Sequence, residues 1–118
     1  MLNIQTIRTL ARVFFWPAVV VTIIAAVIPP QRIGNVLPWD KANHFIAFYV
    51  LTLLAVAAFP RRSNWLIGMS LSLFGALIEF VQAMPLVHRD ADWHDWLADT
   101  IAIVAVMLPM LAARWRGA

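Results

Sequence analysis

The chain has no cysteine, only four glycines and a single tyrosine among its 118 residues, and charge is scarce. Asp, Glu, Lys and Arg make up 13% of it, about half the usual share. The missing cysteines exclude a disulfide scaffold, a Cys-ligated zinc site and a thiol redox centre. Low charge combined with 63% apolar residues excludes a disordered tail. The same combination argues against a soluble domain, because so short a chain leaves a large share of its surface exposed. The length has room for one domain, residues 1–118, and there is no repeat or linker to divide it.

What is present is long and apolar. Positions 13–31 and 42–60 contain no Asp, Glu, Lys or Arg, and each stretch is long enough to cross a hydrocarbon core at about 1.5 Å per helical residue. Four spans are predicted. The first, 13–28, is closed by Pro29-Pro30, and the second, 43–59, stops at Pro60. The third, 65–84, is followed by Pro85 and carries Glu79; the fourth, 93–113, has Asp95 and Asp99 in its opening turns. The expected fold is all-α: a polytopic membrane protein built as a bundle of four transmembrane helices. The first span exceeds the apolar region of a signal peptide and no A-x-A site follows it, so it reads as a retained span.

The basic residues alternate in side. Arg8, Arg12, Arg61, Arg62, Arg114 and Arg116 fall on one side of the four spans; Arg32, Lys41 and Arg89 fall on the other. Six against three places both termini and the tight middle loop in the cytoplasm of a bacterial inner (plasma) membrane. Trp16, Trp65 and Trp115 then lie near the inner interface and Trp39, Trp93 and Trp96 near the outer, an aromatic belt. The basic residues flank spans, which accounts for the sequence pI of about 10.7 without nucleic acid. Membrane lipids are the expected partners.

All the acid is on one side. Asp40, Glu79, Asp90, Asp92, Asp95 and Asp99 lie at the outer ends of spans two to four or in the loops there, with His44, His88 and His94. On span three, Gly68, Ser72, Gly75, Glu79 and Gln82 follow four-and-three spacing and share a helical face. The small residues of that face would let a neighbouring helix approach closely. Asp92, Asp95, Asp99 and Ala102 share a face of span four; Lys41, His44, Phe48 and Thr52 share one of span two. The simplest packing joins these polar ends.

Simpler alternatives stand beside this. Asp40, Lys41 and Arg89 suit an interfacial loop, and Asp92 and Asp95 suit the cap and first turn of a helix, where the dipole favours carboxylates. His44 suits a packing histidine, and the Gly-Ser face suits helix packing alone. Glu79 is the hardest to treat this way, since a carboxylate inside a span costs a few kcal/mol on insertion scales. The expectation is that Glu79 pairs with Lys41 or Arg89 and that Gln82 completes its hydrogen bonds.

Asp40-Lys41-x-x-His44, then Glu79-x-x-Gln82, then Arg89 followed by Asp95 resembles the VanZ-like membrane protein family over about Asp40 to Val106. The resemblance implies a ligand-binding set of Asp40, Lys41, His44, Glu79, Gln82, Arg89 and Asp95, with Phe48 at the aromatic position. It also implies a link to glycopeptide (teicoplanin) resistance, the trait for which the family is named. It supplies no biochemical mechanism. Two positions depart from the pattern: Asp99 stands where the family usually has Asn, and Ala102 where Gly is common.

Two classes of function follow. A non-enzymatic protein would bind a lipid or lipid-linked cell-wall precursor at the outer leaflet, with Arg89 and Lys41 on a phosphate. A membrane-embedded enzyme would act on such a headgroup, with His44 and Glu79 as acid/base candidates and Asp95 and Asp99 beside them. Ser63, Ser70 and Ser72 sit toward the inner half, so the nucleophile would be water. A metal variant would use His44, Glu79, Asp95 and Asp99, but no spacing matches a paired-histidine motif, and neither a metal nor another cofactor is assigned. Ion transport needs polar residues along a whole path; the inner halves have almost none, so only a homo-oligomer would build one.

Overall fold

A computed structural model of the protein describes residues 3–27, 40–85 and 93–117, with the side chains of 40–42 and 111–117 left out. The described residues form four α-helices and no strand: α1 (Ile4–Val27), α2 (Asp40–Ala58), α3 (Asn64–Gln82) and α4 (Trp93–Gly117). At about 1.5 Å per residue, the two longer helices, 24 and 25 residues, reach about 36–38 Å. The two of 19 residues reach about 28 Å.

Local chemistry sets the ends. The Asn3 side chain accepts from the Thr6 N–H at 2.8 Å and Ser63 from Leu66 N–H at 3.0 Å, each satisfying a donor that a helix start leaves orphaned. At the end of α2, the Arg12 Nε donates to the Ala58 carbonyl at 2.8 Å, placing a cation where the helix dipole favours one. Pro17 and Pro109 lie inside α1 and α4 and each removes one helical N–H.

Each helix turns one stripe inward. Phe48, Leu51, Thr52, Ala55 and Ala58 are buried on α2, Ile67, Leu71, Gly75, Ile78 and Gln82 on α3, and Asp95, Asp99, Ala102, Ile103 and Val106 on α4. Apart from the adjacent pairs Leu51–Thr52 and Ala102–Ile103, the spacing is three and four, the signature of one helical face. α2 packs most broadly against α4 and α1, and α4 also packs along α3. An aromatic group of Phe15, Trp16 and Phe59, with centroids 4.9–6.2 Å apart, closes the end of the bundle where α2 stops. There a cleft of about 570 Å³ is lined by Arg8, Arg12, Arg61 and Arg62 with Gln5, Phe59 and Pro60.

The outward stripes are apolar: Val13, Phe14, Val21, Leu73, Leu77, Phe80, Ile101 and Leu108 are all exposed. Two helices, α1 and α3, are long and apolar enough to cross a membrane, and only 17% and 22% of their apolar stretches are buried within the protein. The apolar part of α2, Asn43–Ala58, is shorter. α4 has Asp95 and Asp99 in its first two turns, which lower its hydropathy. The ends of the helices also differ from the predicted spans. α1 begins at Ile4 rather than near Val13 because Asn3 caps it and Arg8 and Arg12 are taken into the helix.

Candidate functional site

Three helices bring their polar positions together at one end. His44 lies in the first turns of α2, Glu79 one turn before the end of α3, and Asp95 and Asp99 one turn apart on α4. His44 Nδ1 lies 3.1 Å from Asp99 Oδ1, and His44 Nε2 lies 3.8 Å from Asp95 Oδ2. One ligand-type atom from each of His44, Glu79 and Asp95 lies within 4.8 Å of the others. The side chains of His44, Asp95 and Asp99 are 12%, 3% and 0% exposed. Phe48, one turn beyond His44 and 1% exposed, floors the site.

Gly75 makes room for this arrangement. A Cβ there would lie 2.8 Å from Asp99 Oδ2 and 3.3 Å from Asp99 Cβ, whereas one at Gly68 would meet the flexible Met107 Sδ at 3.1 Å. Gly75→Ala is therefore expected to cost about 1–3 kcal/mol and Gly68→Ala under about 1 kcal/mol. Thermal unfolding of the two variants in detergent checks the contrast; equal losses would mean that Asp99 is not held against α3.

The α3–α4 seam is polar higher up. Ser72 Oγ and Thr100 Oγ1 are 3.1 Å apart, and the Trp96 indole N–H donates to the Ser72 carbonyl at 3.0 Å. Trp96, expected in an outer aromatic belt, is half-buried and serves this seam. Neither Trp96 nor Thr100 was singled out by spacing, although the pair is four residues apart on the α4 flank next to the Asp95–Asp99 stripe. Thr52 is fully buried on the His44–Phe48 stripe, but its hydroxyl donates to the Phe48 carbonyl of its own helix at 2.6 Å, a local bond that uses its one proton.

Gln82 departs from expectation. Its Nε2 donates to the Ala26 carbonyl at 3.1 Å instead of serving Glu79. The reason is the C-terminus of α1, whose last carbonyls have no intrahelical donor. Glu79 in turn faces His44 and Asp95. The expected pairing of Glu79 with Lys41 or Arg89 lies outside the described residues, because the Lys41 side chain and all of Arg89 do, as do the Asp40 side chain, His88, Asp90 and Asp92. His94 is exposed and its ring lies against Trp93 at 4.1 Å.

Three carboxylates and one imidazole share a largely dry locus, and removing such groups from water costs several kcal/mol per ion unless they are paired. No ligand set is visible along the chain because its members come from three helices and only Asp95 and Asp99 are close in sequence. Compared with family models, with curated proteins and with solved structures, the chain finds no match.

Proposed function

We propose that the chain is a VanZ-like integral membrane protein of the bacterial plasma membrane. All four helices cross the bilayer, both termini are cytoplasmic, and the His44 cluster opens toward the outer leaflet. There it binds a lipid or lipid-linked cell-wall precursor, with Lys41 and Arg89 of the motif set on the phosphate. The observation that carries this reading is a buried polar cluster, His44, Glu79, Asp95 and Asp99, inside helices whose outward faces are apolar. Ionisable groups in such a setting mark a functional locus. The arginine-lined cleft at the far end of α2, about 21 Å away at 1.5 Å per residue, supports the orientation by the positive-inside rule. The link to teicoplanin resistance rests on the motif resemblance alone.

One contact favours a second reading, an enzyme acting on the headgroup. Asp99 at 3.1 Å from His44 Nδ1 fixes the ring as a carboxylate fixes a catalytic histidine. Envelope lipids and lipid-linked precursors compared by mass spectrometry separate the two. Cells lacking the protein, expressing it, and expressing Glu79→Gln at equal abundance are the three arms. The binding reading expects no new or missing species in any arm, with precursor co-purifying with the parent and at least about tenfold less with Glu79→Gln. A species that appears or vanishes only with the parent favours the enzyme. No co-purifying lipid and no change in lipids sinks both.

A further inference from the structure

We propose that His44, Glu79 and Asp95 form a three-ligand site for a divalent transition-metal cation of the Zn²⁺/Mn²⁺ class, with Asp99 holding His44 in place through Nδ1. The first ground is distance. Ligand atoms sharing one such ion at about 2.0–2.2 Å lie about 3.3–3.6 Å apart in a tetrahedral arrangement. His44 Nε2 and Asp95 Oδ2 are 3.8 Å apart, too far for a hydrogen bond and close to that range. All three donors lie within 4.8 Å of one another, so closing on an ion asks for side-chain shifts of about 1 Å or less.

The second ground is the contact on the far side of the ring. Asp99 Oδ1 at 3.1 Å from Nδ1 favours the tautomer in which Nδ1–H donates to it and the Nε2 lone pair points toward Asp95. Metal-binding histidines are held in this carboxylate–histidine–metal order, which fixes the tautomer and raises the basicity of the ligating nitrogen. Gly75 keeps Asp99 in position, since a Cβ there would come within 2.8 Å of Oδ2.

The donor set selects the cation. Calcium takes six to eight oxygens and magnesium keeps most of its waters, so neither has use for an imidazole. One nitrogen and two carboxylates suit zinc or manganese. Three protein ligands leave a coordination position open, as in sites that hold a water or a substrate oxygen. Gln82, one turn beyond Glu79 on the same face, has a buried Oε1 with no hydrogen-bond partner among the described residues. The competing arrangement is a protonated His44 between two carboxylates with no metal.

The full chain, purified in detergent with a tag free of histidine, is stripped with chelator and titrated with ZnCl₂ and with MnCl₂. Metal content is read by elemental mass spectrometry and affinity by calorimetry. One ion per chain is expected, together with a higher Tm. His44→Gln, Glu79→Gln and Asp95→Asn are each expected to bind at least about a hundredfold more weakly, and Asp99→Asn about ten- to a hundredfold more weakly. Circular dichroism shows which variants fold, and any one folded ligand variant suffices. A folded parent that takes up neither metal overturns the assignment. So does undiminished uptake by the folded ligand variants, or an imidazole nitrogen spectrum of a doubly protonated His44 that added metal does not change. No lipid enters these measurements, so the cation site and the lipid reading can fail separately.

Discussion

His44→Leu is expected to destabilise the folded protein by about 3–5 kcal/mol, the usual cost of removing one partner from a buried charged group. The imidazole faces Asp99 at 3.1 Å and Asp95 at 3.8 Å, and those carboxylates are 0% and 3% exposed. Leucine fills the space but takes the imidazole away from both. Asp99→Asn keeps the shape of the side chain and an oxygen that accepts from Nδ1–H, so alone it should cost under about 1.5 kcal/mol. In the double variant one of the two carboxylates facing residue 44 is gone, and the loss should be smaller than the sum of the singles by at least about 1.5 kcal/mol. Unfolding of all four proteins in mixed micelles measures the cycle. A His44→Leu protein within about 0.5 kcal/mol of the parent, or strictly additive losses, would mean that the cluster does not hold together as described.

The helices were readable because charge, proline and capping residues mark their limits without reference to any partner. Pro60 and Ser63 bracket the turn between α2 and α3, and α3 runs from Asn64 to Gln82, close to the predicted 65–84. The buried stripes were readable too, since three-and-four spacing identifies a face whatever it packs against. The start of α1 was not: a gap between charges measures an apolar stretch, whereas Asn3 begins the helix and arginines are carried inside it.

Partner choice across helices was also out of reach. Glu79 lies by His44 and Asp95, and its expected pairing with Lys41 or Arg89 lies outside the described residues. Gln82 was expected beside Glu79 and caps α1 at Ala26. Such pairings depend on how far each helix is rotated and at what level it crosses its neighbours, and one-dimensional spacing carries neither quantity. Asp99, a departure from the VanZ-like pattern at the sequence level, has a definite place: it is the carboxylate behind His44, in a space that Gly75 leaves open.

The lipid reading of the cluster depends on its lying inside a membrane bundle, at the end opposite the arginines. The chain has no cysteine, so single cysteines at Gln5, Ser63, Met84 and Gly117 report sidedness with no background. Gln5, Ser63 and Met84 are exposed, and Ser63 and Met84 bracket α3. Labelling with a membrane-impermeant maleimide, before and after permeabilisation, is the most direct measurement. The account predicts that Met84→Cys is labelled from outside intact cells, and that the other three are labelled only after permeabilisation. Met84 on the same side as Ser63, or all four labelled in soluble protein released without detergent, would contradict it.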